Sequence, residues 1–154
     1  MPTPNPVLAR QVLENIEANP NEWQQQSWAC RFLGSETSCD SAFCYAGHAV
    51  RMAHPDAEFQ FFESDVLREE ATAVEIPGVG RQSIRILAQQ LLGLDDYSAD
   101  VLFYADNTLE DLRDYVSQLE RPNFSGELAC VNPRFGNDDE ADEADDYYYD
   151  EVNY

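Results

Sequence analysis

The sequence predicts an α+β fold that is predominantly helical, with four to five helices and a small β-hairpin. Apolar residues recur at helical spacing in several stretches that end at proline or glycine, and one stretch alternates on both sides of a Pro-Gly pair. The chain has 154 residues, of which 44% are hydrophobic. A chain of this size can bury one core without disulfide bonds.

The first helix is the most clearly marked. Asn5 followed by Pro6 is a typical N-cap with proline at the first helical position, and Asn19-Pro20 ends the apolar repeat. We therefore expect a helix over 6–18. By the same criteria, further helices are expected over 41–53, which Pro55 stops, over 87–92, which ends at Gly93, over 98–104, and over 109–119, which follows a Thr108–Asp111 capping box.

Few segments carry a strand pattern. Residues 74–86 alternate around their Pro-Gly pair and predict the hairpin. Weaker signals predict a short strand or an aromatic plug at 59–62 and a final strand at 128–131. Residues 65–73 are ambiguous but fit a helical turn or two, and residues 30–39, which contain several Ser and Thr, are expected to form a loop.

The character of the chain changes at Gly136. Residues 1–136 are expected to form a single globular domain, and residues 137–154 a disordered, acidic, Tyr-rich tail. The tail has almost no aliphatic side chains, so it cannot bury enough apolar surface to offset the entropy of ordering it. Aromatic rings beside carboxylates can stack on arginine and pair with it at once. We therefore expect partner contacts from Asp138, Asp139, Glu140, Asp142, Glu143, Asp145, Asp146, Tyr147, Tyr148 and Tyr149.

Charge is the strongest signal in the composition. Thirty acidic residues face nine basic ones, which gives a net charge of −21. Nine of the acids lie between Asp138 and Glu151, so 21 acids and nine bases remain in the body, which is itself near −12. Such a field repels phosphate backbones, because nucleic-acid binding depends on Lys and Arg displacing counterions. It favours basic partners, so we expect a basic protein as partner and no direct binding of nucleic acid.

All nine basic residues are arginines, and the chain contains no lysine. A GC-rich genome, which exchanges lysine codons for arginine codons, explains this most simply. Adaptation to a high-salt cytoplasm also selects acid-rich, lysine-poor surfaces, and a lysine-free chain offers no side-chain amine for ubiquitin-like tagging. The acidity itself is explained either by solubility or by mimicry of DNA phosphates. The sequence does not separate these alternatives.

The N-terminal residues have neither a basic region nor an apolar run typical of a secretory signal. No run approaches the roughly 18 apolar residues of a membrane span. We therefore expect a cytoplasmic protein without membrane contact. In that compartment the four cysteines stay reduced unless a metal binds them.

Three cysteines and a histidine have the spacing C-x8-C-x4-C-x3-H, which resembles a CCCH zinc finger. The predicted ligands are Cys30, Cys39, Cys44 and His48, with Cys130 or His54 as a substitute for one of them. Zinc takes four such ligands in a tetrahedron, and a site closed by four protein ligands is structural. The alternative is that these cysteines are buried and pack as small apolar side chains. The expected cofactor is therefore none, or one structural zinc.

Two other patterns each suggest an activity, and another observation opposes each of them. Cys44 and His48 have the spacing of a nucleophile and its base, but no third member or oxyanion hole is evident. Residues 76–84 resemble the hairpin of a helix-hairpin-helix module, in which glycines let backbone N–H groups approach a DNA phosphate. A β-turn between two strands explains the same glycines more simply, and the acidic charge opposes DNA binding.

A set of motifs resembles a family of small uncharacterised proteins of actinobacteria and their phages. The shared features occur in a fixed order: a Trp, a C-x4-C-x-A-G segment, an A-x-x-L-L-G-L helix end and an L-F pair. They extend over roughly residues 5–120, and the resemblance implies no activity. In this sequence the motifs are Trp28, Cys39-Asp-Ser-Ala-Phe-Cys44-Tyr-Ala-Gly-His48-Ala-Val, Ala88-Gln-Gln-Leu-Leu-Gly-Leu94 and Leu102-Phe103.

Together these observations favour a non-enzymatic acidic protein that binds, and by binding inhibits, a basic partner protein. The phage resemblance adds, by analogy, a DNA mimic directed at a nucleic-acid-binding protein of the host. The first alternative is a zinc-stabilised structural or assembly protein whose charge serves solubility. The second alternative is an enzyme that depends on Cys44 and His48.

Overall fold

A computed structural model describes residues 3–32, 41–65 and 68–135. The predicted domain boundary at residue 136 and the whole tail, 137–154, lie outside these residues. Within them the chain forms five α-helices: α1 (Pro6–Ala18), α2 (Tyr45–Ala53), α3 (Ile84–Leu92), α4 (Asp96–Leu102) and α5 (Leu109–Glu120). It also forms seven strands: β1 (Ala29–Phe32), β2 (Ser41–Phe43), β3 (Glu58–Phe59), β4 (Phe62–Asp65), β5 (Arg68–Ala71), β6 (Ala73–Ile76) and β7 (Gly80–Ser83).

The prediction of a predominantly helical fold with one small hairpin is wrong. The described strands form two antiparallel sheets, one of four strands in the order β2-β1-β5-β4 and one of three in the order β3-β6-β7. The fold is therefore a mixed α+β architecture. The expected hairpin is present as β6–β7, but it ends at Ser83, and residues 84–86, which were expected in it, begin α3. β3 pairs with β6 on its other side, so the hairpin is part of a larger sheet.

The segment before α2 is a strand that the sequence analysis predicted as helix. Residues 41–43 were expected to begin the helix, but they form β2, which pairs with β1 through Ala29↔Phe43 and Arg31↔Ser41. The backbone N–H of Cys44 then donates to Ser27 O at 3.0 Å. Because their backbone hydrogen bonds go to β1 and to the 27–28 loop, residues 41–44 cannot join the helix, which begins at Tyr45.

Most of the described part of the ambiguous segment 65–73 also belongs to the sheets. Residues 68–71 form β5, which lies between β1 and β4 and pairs with both. Arg31 of β1 lies opposite Glu69, and their side chains form an ion pair at 2.5 Å. The same guanidinium lies 4.2 Å from the centre of the Phe61 ring. Pairing on both sides thus places a highly charged segment in a sheet.

Other helix signals in the sequence are confirmed. The Asn5 side chain caps α1 by accepting from the backbone N–H of Leu8, and the Thr108–Asp111 capping box is complete at the start of α5. α3 ends at Gly93, which has φ +68. A Cβ at Gly93 would lie 1.8 Å from Thr3 O, so the N-terminal segment can cross this helix end only at a glycine.

The core is centred on α2, which packs against α1 and α3. All six residues from Tyr45 to Val50 are buried, including Gly47 and His48. A Cβ on Gly47 would lie 2.2 Å from the carbonyl oxygen of Trp28. The glycine therefore lets the 27–28 loop approach the helix backbone directly.

The C-terminal segment 128–135 was expected to begin with a strand, and it pairs with no described strand. Side chains of α4 and α5 satisfy its backbone instead. Ser98 Oγ accepts from Leu128 N at 2.9 Å, and Gln118 bonds both the N–H and the C=O of Ala129 at 2.8 Å. Tyr115 Oη accepts from the backbone N–H groups of Val131 and Asn132. This segment is therefore fixed to the helices although it has no regular structure.

We predict that Gly47→Ala destabilises the protein by about 1–3 kcal/mol, because the methyl group must displace a backbone carbonyl. Helix propensity alone predicts the opposite sign, a gain approaching about 1 kcal/mol. Urea unfolding of the variant decides between them, and an increase in stability would show that the close contact is wrong.

Gly78→Ala is the matched control. Nothing lies within 4 Å of a Cβ at Gly78, but its φ of +80 is unfavourable for alanine. It should therefore cost only about 1–2 kcal/mol of backbone strain. The two variants separate steric contact from conformational strain.

Candidate functional site

His48, one of the predicted zinc ligands, is fully buried on α2. Its Nε2–H donates to Glu22 O at 2.9 Å, and its Nδ1 accepts from the Asn15 side-chain amide at 3.2 Å. Burial lowers the pKa of the imidazole to about 4, although the hydrogen bond to Glu22 O acts in the opposite direction. The neutral ring thus has both nitrogens engaged within the core and would have to release one of these bonds to bind a metal.

Cys44, the residue immediately before α2, is almost fully buried. Burial raises the pKa of its thiol to about 12, although backbone N–H groups at the start of the helix lower it in part. A protonated, buried thiol is a poor nucleophile. Since both ring nitrogens of His48 have other partners, the described geometry does not favour Cys44 and His48 as a catalytic pair.

The structure describes two of the remaining three cysteines, Cys30 and Cys130. Cys30 lies on β1 opposite Ala42 and Glu70 and is buried, which raises the pKa of its thiol. Cys130 lies in the C-terminal segment, where its Sγ–H donates to Asn132 O at 3.3 Å. Cys39 is outside the described residues, as are all ten predicted partner-binding residues of the tail, from Asp138 to Tyr149.

Among the residues that the structure describes, no three His, Cys, Asp or Glu side chains group as a metal site. Because Cys39 is not among them, this does not decide the zinc hypothesis, which stays a prediction. His54, offered as a substitute ligand, follows α2 and lines a small surface cavity of about 240 Å³ with Asp56 and Ile76.

The glycine-rich segment 76–84 forms a turn between strands. Val79 N donates to Ile76 O at 2.9 Å, and Gly78 and Gly80 both have positive φ. The turn connects β6 to β7, and α3 follows directly after β7. The structure thus confirms the interpretation of these glycines as a β-turn between two strands.

A polar cleft of about 400 Å³ lies between residues 23–26 and 105–109, with Arg134 on its rim. Sequence reasoning missed it because three separate segments form it. The run Trp23-Gln24-Gln25-Gln26, an aromatic residue followed by three amides, is the signal that points to it.

Gln25 holds this cleft together. Its amide oxygen accepts from Trp23 Nε1 at 3.0 Å and from Tyr45 N at 3.1 Å, and its amide nitrogen donates to Tyr104 O at 3.0 Å. On the opposite wall, the Asn107 amide donates to Val101 O at 2.8 Å and accepts from the Asn132 amide at 2.9 Å. Both amides are buried, so the floor of the cleft is rigid.

The second candidate feature is the distribution of charge. Six of the nine arginines form ion pairs within the body, at 2.5 to 3.8 Å. These pairs are Arg10–Glu120, Arg31–Glu69, Arg51–Glu22, Arg68–Glu70, Arg85–Asp100 and Arg113–Glu17. Arg81, Arg121 and Arg134 are exposed and form no ion pair with any carboxylate in the described ranges. Most of the positive charge is thus already neutralised by ion pairs within the chain.

Exposed carboxylates outside these pairs occur on many elements, including α1, β3, β4, α4 and α5. They are Glu14, Asp56, Glu58, Glu63, Asp96, Glu110, Asp114 and Glu127. In both sheets, moreover, two acids lie directly opposite each other, as Glu58↔Glu75 and Glu63↔Glu69. The excess negative charge therefore extends over much of the described surface.

No family model, curated protein or solved structure matches the chain. The resemblance to a family of actinobacterial and phage proteins therefore stays a prediction. None of the helices described here has both the length and the apolar character that crossing a membrane requires.

We predict that His48 makes the protein less stable in mild acid. Its pKa is about 4 in the folded protein and 6.5 as an ordinary histidine, so the unfolded chain binds the proton first as the pH falls. The contribution is complete above pH 6.5 and is lost as the pH falls towards 4, by as much as about 3 kcal/mol. Urea unfolding between pH 5 and pH 7 measures it.

His48→Gln is the comparison variant, because an amide also offers a donor and an acceptor but does not titrate. The two proteins share all carboxylates, so the difference between their pH profiles isolates the histidine. Parallel profiles above pH 5 would contradict a buried neutral His48.

We predict about one zinc per chain if Cys30, Cys39, Cys44 and His48 form the closed site that their spacing suggests. Elemental analysis after metal-sparing purification measures the content. Cys39→Ser should then lower both the zinc content and the melting temperature. Protein without metal, or unchanged melting of Cys39→Ser, would remove the hypothesis.

Proposed function

We propose that this protein is a non-catalytic, acidic binding protein that inhibits a basic partner by occupying its positively charged surface. The observation that supports this most directly is the excess of exposed carboxylates over free cations. Six arginines form ion pairs with carboxylates of the same chain, while exposed acids on several elements have no arginine partner among the described residues. The body therefore presents negative charge without depending on the tail.

The charge distribution favours a partner that normally binds nucleic acid. Duplex DNA carries one negative charge for about every 1.7 Å of its axis, and its partners neutralise that charge with Lys and Arg. A compact body of net charge near −12, extended by nine acids in the tail, offers such a surface a competing source of negative charge. The protein itself should not bind DNA, since both are acidic. We place this function in the cytoplasm, where the cysteines stay reduced.

Two alternatives give different measurements. A zinc-stabilised structural or assembly protein would associate through its packed surfaces, with little sensitivity to salt. An enzyme would show turnover that depends on Cys44 or His48, and the burial of both side chains does not favour it.

We predict that the complex with the native partner weakens steeply with salt and is displaced by duplex DNA. Exposed charges more than about 8 Å apart are largely screened at physiological ionic strength, and DNA would compete for the same basic surface. The partner is first captured from the source cells on the full chain and purified. Its dissociation constant is then measured from about 50 to about 500 mM salt, with and without DNA as competitor.

A chain ending at residue 136 is the matched variant. If body and tail both contribute, truncation should weaken binding and reduce its salt dependence without removing either. Binding that is insensitive to salt and not displaced by DNA would refute the mimic and favour the structural alternative.

A further inference from the structure

The cleft formed by residues 23–26, 105–109 and Arg134 is a separate feature from the general acidity of the surface. We propose that it receives a single arginine side chain of the basic partner, between the Trp23 ring and the Asp106 carboxylate. This inference rests on the proposed function, since it names one contact within that complex. The following observations identify the occupant as a guanidinium group.

The cleft is built before any ligand binds. The indole N–H of Trp23 is held by Gln25, and Asn107 is fixed by Val101 O and Leu102 O at 2.8 and 3.0 Å. Both amides are buried, and their hydrogen bonds go to other parts of the protein. Because these side chains are already ordered, a ligand would lose little binding free energy to ordering the site.

The rim, in contrast, has side-chain groups that are free to form hydrogen bonds with a ligand. The side chains of Gln24, Gln26 and Asp106 make no hydrogen bond or ion pair with another residue in the described ranges. They supply amide and carboxylate oxygens, which are acceptors. A guanidinium group has five N–H donors in one plane and no acceptor, so it matches such a rim.

The lining alone does not decide the sign of the ligand, because it holds one acid and one base, Asp106 and Arg134. Two other features favour a cation. The indole ring is the best aromatic partner for a cation, and a chain of net charge −21 attracts cations and repels anions. Arginine fits better than lysine, because its planar group stacks on a ring and forms a fork of hydrogen bonds.

Arg134 has a defined effect in this proposal. Arg134 is exposed and lines the same cleft, so its positive charge disfavours a bound cation. Arg134→Gln should therefore strengthen the binding of arginine, whereas a site for an anion would be weakened by the same change.

The experiment titrates the full chain with N-acetyl-L-arginine amide at low salt and follows amide and indole N–H resonances. We expect shifts at Trp23 and at residues 105–109, and weaker binding of the citrulline analogue, which has nearly the same shape but no charge. Asp106→Asn should weaken arginine binding roughly threefold or more. Glu110→Gln removes the same charge from an exposed residue outside the cleft and should change binding by less than about twofold.

Equal weakening by Asp106→Asn and Glu110→Gln would overturn the proposal, because it would show attraction to the net charge alone. Shifts centred elsewhere, absence of shifts, or equal binding of citrulline would also overturn it. With the purified partner, binding that stays salt-dependent and DNA-displaceable but is unaffected by Asp106→Asn would remove the cleft and leave the proposed function standing. Loss of salt dependence in the unmodified protein would remove the proposed function instead.

Discussion

The structure depends on the burial of α2 on nearly all sides. A helix in this position must find a partner for every polar group it carries, because an unsatisfied buried group costs about 1–3 kcal/mol. The surrounding segments are arranged around this requirement. Tyr45 Oη donates to Ala9 O of α1 at 2.7 Å, His48 bonds Glu22 O and Asn15, and the first backbone N–H of the helix bonds the Gln25 amide.

The same requirement extends from the core to the surface cleft. Gln25 links the start of α2 to the end of α4 and to the Trp23 indole. The rigidity of the cleft is thus a consequence of core packing. On its other wall, Asn107 and Asn132 join the loop before α5 to the C-terminal segment. Phe135 then packs edge-on against Tyr97 and Tyr104, which fixes the end of the segment 128–135.

The sequence predicted those elements whose signals are local. The caps of α1 and α5 and the glycine end of α3 depend on residues within one turn of each other, and each is present. β5 is the clearest failure, because Arg68-Glu69-Glu70-Ala71 consists of good helix formers. It is a strand only because it pairs with β1, which is distant in sequence, and with β4, which is very short.

Spacing alone leaves out the surroundings of a candidate site for a related reason. The spacing of Cys44 and His48 indicated where they lie along the helix, but not that other segments occupy both ring nitrogens of His48. The cleft as a whole could not be assembled from the sequence, since its three segments are at least 25 residues apart in the chain. Spacing identifies candidate ligands, whereas their availability depends on long-range packing.

The excess negative charge has opposite effects on folding and on the proposed function. Glu58 faces Glu75, and Glu63 faces Glu69, so each sheet places like charges opposite one another. Such pairs destabilise a sheet by a few tenths of a kcal/mol to about 1 kcal/mol. Arg81 across from Glu75 and Arg31 across from Glu69 offset part of this cost. Salt screens both the repulsion within the sheets and the attraction to a basic partner. It therefore reduces a cost to the sheets and weakens the proposed complex, so the same carboxylates act against folding and in favour of binding.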